Sequence, residues 1–442
     1  MAGALGLRSP TPGFRLLSQT GGNVGLNGAT LVLNFALALL LSRLLGSDGY
    51  GAYAFALSWA MLLAIPAILG LPSVLVRKLA TYRVRGDWVH ARGLIRWANV
   101  AVLAASFCVS VTAAVTFWAL DWPGPPLFEP TLIALALVPL MTVISIRQGA
   151  MQGFGAVVLG RTPEALVAPT LTIGLVLVLA GSLATGLSAT GAVGAHVLAA
   201  ATAALLGVYL LGRTLPSKVL EAEPRYEART WLVAALPLLL MSGIQAVNFQ
   251  AGTILTGAIA GSGEAGIFSV ALRVAGVLPF LLLAAVPPLM PTIAELYERG
   301  EAERLQRLLT RAAQGVFFGS LPAVIGLLVF AGPILDLFGE DFGAGVDALR
   351  ILCLGQLVNL ATGFAGTVLI MTGEAGAATK AAAVSTAVNL ALCAALIPAF
   401  GAGGAAVATA SSVAVMNVLM VFLLWRRRGI YSPPLGRRSL AG

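Results

Sequence analysis

The sequence predicts an all-α polytopic membrane protein, with about twelve transmembrane helices arranged as two parallel-repeat six-helix lobes. Three observations point there. Of the 442 residues, 58% are hydrophobic and only 10% charged, against about 25% charged in a soluble domain, so the chain cannot cover its surface against water. Apolar runs of about 20 residues recur, the length an α-helix needs to cross about 30 Å of hydrocarbon. The stretch from Ser42 to Arg96 is also written twice. Shifted by 215 residues, Gly46-Ser47 falls on Gly261-Ser262, Gly51 on Gly266, Tyr53 on Phe268, Ala56-Leu57 on Ala271-Leu272 and Pro72 on Pro287. The register continues through Tyr82 on Tyr297, Arg92 on Arg307 and Arg96 on Arg311. One fixed offset held over that length reads as an internal duplication.

Residues 1–20, with Arg8 and Arg15, read as a cytoplasmic arm. The run that follows is too long for a signal-peptide core, so it is expected to stay as the first span. The expected spans are 21–45, 52–76, 94–120, 130–152, 164–184 and 190–213 in the N-terminal lobe (21–213). Those of the C-terminal lobe (230–425) are 230–258, 266–290, 311–335, 347–371, 376–398 and 404–425. Residues 214–229, with Pro216, Glu221, Glu223 and Pro224, form the joint, and 426–442 a basic tail. Six spans per half give both copies one orientation, so the repeat is parallel. Two further segments, Thr292 to Leu309 and its counterpart Tyr82 to Leu94, read as amphipathic interfacial helices. Gly191-Ala192-Val193-Gly194-Ala195 and Gly401-Ala402-Gly403-Gly404-Ala405 supply small residues that let helices approach closely.

The net charge of +9 would suggest nucleic acid in a soluble protein. Here the 27 Lys and Arg residues sort by side: all but Arg43, Arg273 and Arg350 fall with the termini. The positive-inside rule then makes both termini cytoplasmic and removes nucleic acid as a partner. The opposite loops are short and acidic, with Asp48, Asp121, Glu129, Glu264, Asp336, Glu340, Asp341 and Asp347. Cys108, Cys353 and Cys393 lie far apart within apolar runs and suggest neither a disulfide framework nor a metal site. No P-loop is present, and His90 and His196 form no catalytic constellation; no enzymatic activity, cofactor or metal is expected.

Polar residues at membrane depth are costly and need a reason. Asn23, Asn27, Thr30 and Asn34 share one face of the first span; Gln245, Asn248 and Thr256 repeat the idea in span seven, and Gln356, Asn359 and Thr362 in span ten. Such stripes either line a water-filled cavity or zip helices together. Arg273 lies in span eight, Arg147 near the end of span four and Arg43 at the outer end of span one. No carboxylate is expected in the middle of a span, with Glu164 and Glu374 read at cytoplasmic ends. A cation exporter would want buried carboxylates; arginines beside a polar cavity suit an anionic group such as a diphosphate. The candidate substrate-binding set is therefore Arg273, Arg147, Arg43, Asn27, Asn34, Gln245, Asn248, Gln356 and Asn359.

The run Arg43-Leu44-Leu45-Gly46-Ser47-Asp48-Gly49-Tyr50-Gly51, followed by an apolar span, Gly70-Leu71-Pro72 and a basic loop, resembles the N-terminal signature of the polysaccharide transporter family. This is the lipid-linked oligosaccharide flippase branch of the multidrug/oligosaccharidyl-lipid/polysaccharide exporter superfamily. The resemblance implies two six-helix lobes around a central V-shaped cavity that opens alternately to either face. It also implies movement of undecaprenyl-diphosphate-linked oligosaccharide across the bacterial inner membrane, with membrane lipids and envelope-assembly proteins such as a glycan polymerase as partners. The competing readings are a cation-coupled drug antiporter of the multidrug branch, a lipid II flippase and a non-transporting scaffold for a glycan polymerase.

Overall fold

The structure, a computed structural model, describes residues 12–182 and 186–434, with side chains described from Gly25 onward. Among the described residues all regular structure is helical. The chain runs α1 (Pro12–Ile68), α2 (Leu71–Arg85), α3 (Trp88–Ala119), α4 (Phe128–Ala134) and α5 (Leu137–Gly153). Then come α6 (Val157–Thr162), a π-helical turn Pro163–Val167, α7 (Ala168–Ser182), α8 (Ala189–Thr214) and the short α9 (Ser217–Glu221) of the joint. The second half holds α10 (Ala228–Ala260), α11 (Ser262–Ala275), α12 (Phe280–Glu298), α13 (Ala302–Val329) and α14 (Ala331–Asp336). It ends with a 3-10 turn Glu340–Gly345, α15 (Val346–Thr362), α16 (Ala365–Met371) and α17 (Ala375–Arg428).

Ten helical segments are long and apolar enough to cross a membrane. Two of them are far too long for one crossing. The 54 residues of α17 would reach about 80 Å at 1.5 Å per residue, against about 30 Å of hydrocarbon. Each breaks at a glycine in a backbone conformation open to residues without a Cβ: Gly46 in α1 (φ 66°) and Gly401 in α17 (φ 51°). At Gly46 the chain turns back, because Asn34 and Tyr53 both lie within reach of Arg273 although they are 19 residues apart in sequence. Counting each broken helix as two gives the twelve expected spans. Gly261, the repeat partner of Gly46, separates α10 from α11 with a matching geometry (φ 96°, ψ 173° against φ 66°, ψ −175°). The duplication is therefore written in backbone dihedrals as well as in residues.

The two expected interfacial helices are not continuous. Each is a turn between two helix ends: α12 stops at Glu298 and α13 starts at Ala302 around Gly300 (φ 70°), as α2 and α3 meet around Gly86 (φ 69°). A left-handed glycine ends each helix, and that conformation overrides the amphipathic pattern running through it. The expected arm over residues 1–20 likewise differs: from Pro12 onward it is already part of α1, and residues 1–11 lie outside the described residues. So do Arg437 and Arg438 of the tail.

The halves meet along α1, α2 and α3 on one side and α10 and α11 on the other. Near the side of the termini, Trp231 of α10 is fully buried between Trp97 (ring centroids 5.5 Å apart) and Tyr82, whose hydroxyl accepts its indole N–H at 3.3 Å. At the opposite side α1 is clamped to the second half. Phe35 stacks edge-on against Phe338 (5.3 Å) and Tyr50 against Phe342 (6.1 Å), while Ser262 Oγ donates to Asp48 at 2.7 Å. Between these seals, the first half of α1 exposes Gly25, Asn27 and Val32, and α12 buries only Ile293. The lobes thus diverge toward the side of the termini.

Candidate functional site: a cationic seam between the lobes

Arg273 sits in the last turn of α11, where the duplicated motif has carried the chain back across the seam. Its Nη1 donates to the backbone oxygen of Asn34 in α1 at 3.2 Å, so a cation of the second half is held by the first. Two groups missing from the sequence-derived set share its neighbourhood. Tyr53 of α1, 3% exposed, shares a 3.0 Å hydrogen bond with His196 Nδ1 of α8, and the charge of Arg273 acts on both. Among the described residues no carboxylate forms an ion pair with Arg273 or with Arg147. A guanidinium left without a counter-ion in a low-dielectric setting favours an anionic ligand or open water.

The other sequence-derived residues are not gathered around Arg273. Arg147 of α5 lies inside the N-terminal lobe, bonded to Asn99 Oδ1 of α3 and packed beside Gly207 of α8, and its Nε is buried without a partner. Arg43 is exposed on the side away from the termini, where its Nε donates to Leu337 O at 2.6 Å. Asn27 and Gln245 are exposed. Asn34 is half-buried and turns its amide back onto Thr30 O at 2.8 Å. Asn248 is part of a clamp within the second lobe: its Oδ1 accepts from Asn389 Nδ2 at 2.8 Å and from Ser412 Oγ at 2.9 Å. Gln356 and Asn359 bond to each other on α15 at 3.1 Å. The three stripes therefore divide between open and zipped positions.

One expectation about charge is corrected. Glu164, read at the end of a span over 164–184, lies two turns inside the span Val157–Ser182, on the π-helical turn. Pro163 explains both the turn and the misreading. It lacks an N–H and its ring crowds the preceding turn; the register opens, and Ala168 N–H reaches Pro163 O instead. Glu374 does lie at a helix end, as N-cap of α17, where Arg427 (2.6 Å) and Arg428 (2.9 Å) pair with it.

Twelve apolar spans, an internal duplication and two lobes meeting at a cationic seam define a multi-pass membrane protein with the architecture of a two-lobe transporter. The chain belongs to the polysaccharide biosynthesis protein family, whose model matches residues 16–297. It is similar to the probable low-salt glycan biosynthesis flippase Agl15 of Haloferax volcanii, 29% identical over 155 residues, 35% of this chain and 33% of that one. The match thus spans about a third of that relative's length. Over a longer stretch it is 22% identical to the lipid II flippase MurJ of Bacillus subtilis, covering 91% of this chain and 80% of that one. Among solved structures it resembles an inward-facing multidrug resistance MATE family transporter of the MOP superfamily. That likeness has a TM-score of 0.74 at 19% identity, covers 90% and 94% of the two chains, and shows a shared fold.

Proposed function

We propose that this protein is a flippase that carries undecaprenyl-diphosphate-linked oligosaccharide across the bacterial inner membrane by alternating access, with both termini cytoplasmic. A glycan cannot cross hydrocarbon unaided, because each buried hydroxyl without a partner costs several kcal/mol; a hydrated cleft between two lobes removes most of that cost. The observation that carries the reading is Arg273, a guanidinium without a carboxylate partner at the seam that opens toward the termini. A diphosphate fits its sign and its paired-donor geometry, the exposed Asn27 and Gln245 offer hydrogen bonds to sugar, and the lipid tail stays in the bilayer. Arg147 and Arg43 belong to the same candidate set as further cationic stations inside the first lobe and at the far rim.

The test is lipid-linked oligosaccharide accumulation in a deletion strain complemented with wild type or Arg273→Ala. The reading expects cytoplasm-facing substrate that wild type clears and Arg273→Ala does not. Clearance by both removes Arg273 from the site, and altered drug tolerance without any accumulation overturns the flippase in favour of a cation antiporter. The match to MurJ along 91% of the chain favours a second reading, a lipid II flippase, which predicts rescue of lipid II export rather than of oligosaccharide clearance in the same strains.

A further inference from the structure

We infer that Glu164 is a proton-binding site in the N-terminal lobe, and that its protonation is linked to the rocking of the lobes. The inference rests on the flippase reading for its purpose, but the site stands on its own geometry. Glu164 is an ionisable residue at membrane depth, seven residues and about 10 Å into the span Val157–Ser182. It occupies a π-helical turn, a geometry that proteins retain mostly where it serves a site. Its neighbours Pro163 and Ala165 are buried while Glu164 is reached by solvent. Protein nonetheless surrounds it closely enough that lost hydration is the largest influence upon it. Both conditions hold together for a group lining a concave face. The turn packs against α1 and α8, the helices that bring Tyr53 and His196 to the seam.

The charged groups around it leave it free to titrate. Among the described residues no hydrogen bond or ion pair holds Glu164. Arg161, one turn earlier on α6, acts on it electrostatically. On α8 the ionisable groups are His196, bonded to Tyr53, and Arg213, stacked 5.0 Å over the Tyr209 ring. The described part of α1 before its break offers only Arg43, at the far end and bonded to Leu337, and α7 offers none. A bound metal ion would need several oxygen or nitrogen ligands, and no group of three or more His, Cys, Asp or Glu able to hold one occurs among the described residues. A proton needs one carboxylate.

The coupling follows from hydration. While the cleft is open, Glu164 can be charged because water reaches it. When empty lobes close, that water is expelled and the carboxylate must take up a proton. A glycan in the cleft supplies hydroxyl donors, so the loaded form can close with Glu164 ionised. One proton then moves with the empty return, opposite to the glycan.

The test uses the full chain in lipid nanodiscs and the carbodiimide N,N′-dicyclohexylcarbodiimide, which modifies protonated carboxyl groups in apolar surroundings. Peptide mass spectrometry between pH 5 and 8 is expected to find Glu164 modified in preference to the exposed Glu303, and less so as pH rises. No modification of Glu164 across that range overturns the site. In the deletion strain, Glu164→Gln is expected to lose oligosaccharide clearance at least tenfold while keeping the wild-type melting temperature. Glu164→Asp should retain clearance with a displaced dependence on external pH. Wild-type clearance by Glu164→Gln overturns the coupling. Should wild type itself clear nothing, the flippase reading fails, and the labelling still decides the site.

Discussion

Gly51 and Gly266, equivalent positions of the internal repeat, pack against each other's motifs across the seam. A Cβ on Gly51 would strike Ser262 O, and a Cβ on Gly266 would strike Ser47 O. Ser47 and Ser262 are themselves repeat partners, so the contact is its own image under exchange of the halves. It is the intramolecular counterpart of an isologous dimer interface, which one patch must satisfy twice. Ser47 Oγ lies 3.3 Å from Asp341 Oδ2, and Asp48 accepts from Ser262, extending the seal on both sides.

This symmetry makes a paired prediction. Gly51→Ala and Gly266→Ala should each force the motifs apart, at about 1–3 kcal/mol of overpacking, and the double variant should cost less than the sum because one displacement relieves both clashes. Melting temperatures in detergent measure the energy. Modification of a Ser47→Cys reporter by a membrane-impermeant maleimide, in a background with the exposed Cys108 replaced by Ser, should be several-fold faster in either variant. Unchanged labelling would mean that the seal does not gate access.

The neighbouring Asn34 offers a sharper separation of roles. Arg273 uses the backbone oxygen of Asn34, not its amide, which is spent on Thr30 O within the same helix. Asn34→Ala should therefore leave the Arg273 contact intact and change stability by about 1 kcal/mol or less. Arg273→Lys keeps the charge but loses the planar fork, so it should impair oligosaccharide clearance at least as strongly as Asn34→Ala does, and more strongly if the guanidinium grips a diphosphate.

Much of this was legible in the sequence, and the illegible parts share a cause. The spans and the duplication could be read because hydropathy and a fixed offset are local or periodic signals. The Asn248 clamp could not, because its partners Asn389 and Ser412 lie 141 and 164 residues away, and a polar stripe looks the same whether it faces water or another helix. His196 looked isolated for the same reason, 143 residues from Tyr53. Glu164 was misplaced by a boundary: Arg161 and Glu164 together depress local hydropathy, so the apolar run seems to begin after them. The signal that could have corrected this was Pro163, whose missing N–H demands a local change of helical register.

The clamp itself is testable. In Asn248→Leu, Asn389 Nδ2 and Ser412 Oγ lose an acceptor inside the second lobe, and the expected cost is about 1–2 kcal/mol, read as a fall in melting temperature. Removing the facing amide as well, in Asn248→Leu with Asn389→Leu, should recover part of the loss, because fewer polar groups are then stranded among apolar ones. A double variant less stable than the sum of the singles would show that the amides serve some purpose other than holding α10 to α17.

At the opposite face, pH provides the last handle. Hydrogen bonding from Arg427, with the added charges of Arg427 and Arg428, outweighs desolvation and holds the Glu374 carboxyl below the usual glutamate range; Arg428 also reaches Tyr297 Oη at 2.5 Å, tying the end of α17 to α12. A carboxylate whose folded value is depressed binds protons more readily unfolded, so its stabilising contribution is fully present above the unfolded value of about 4.3 and lost as pH falls through the folded value. The difference in melting temperature between wild type and Glu374→Gln should accordingly be constant from pH 7 to about pH 5 and shrink below about pH 4. Taking the difference cancels the titration of the other carboxylates, which both proteins share. A gap that widened on acidification would mean that the pair opposes the folded state, with Arg427 and Arg428 better placed in water than against Glu374.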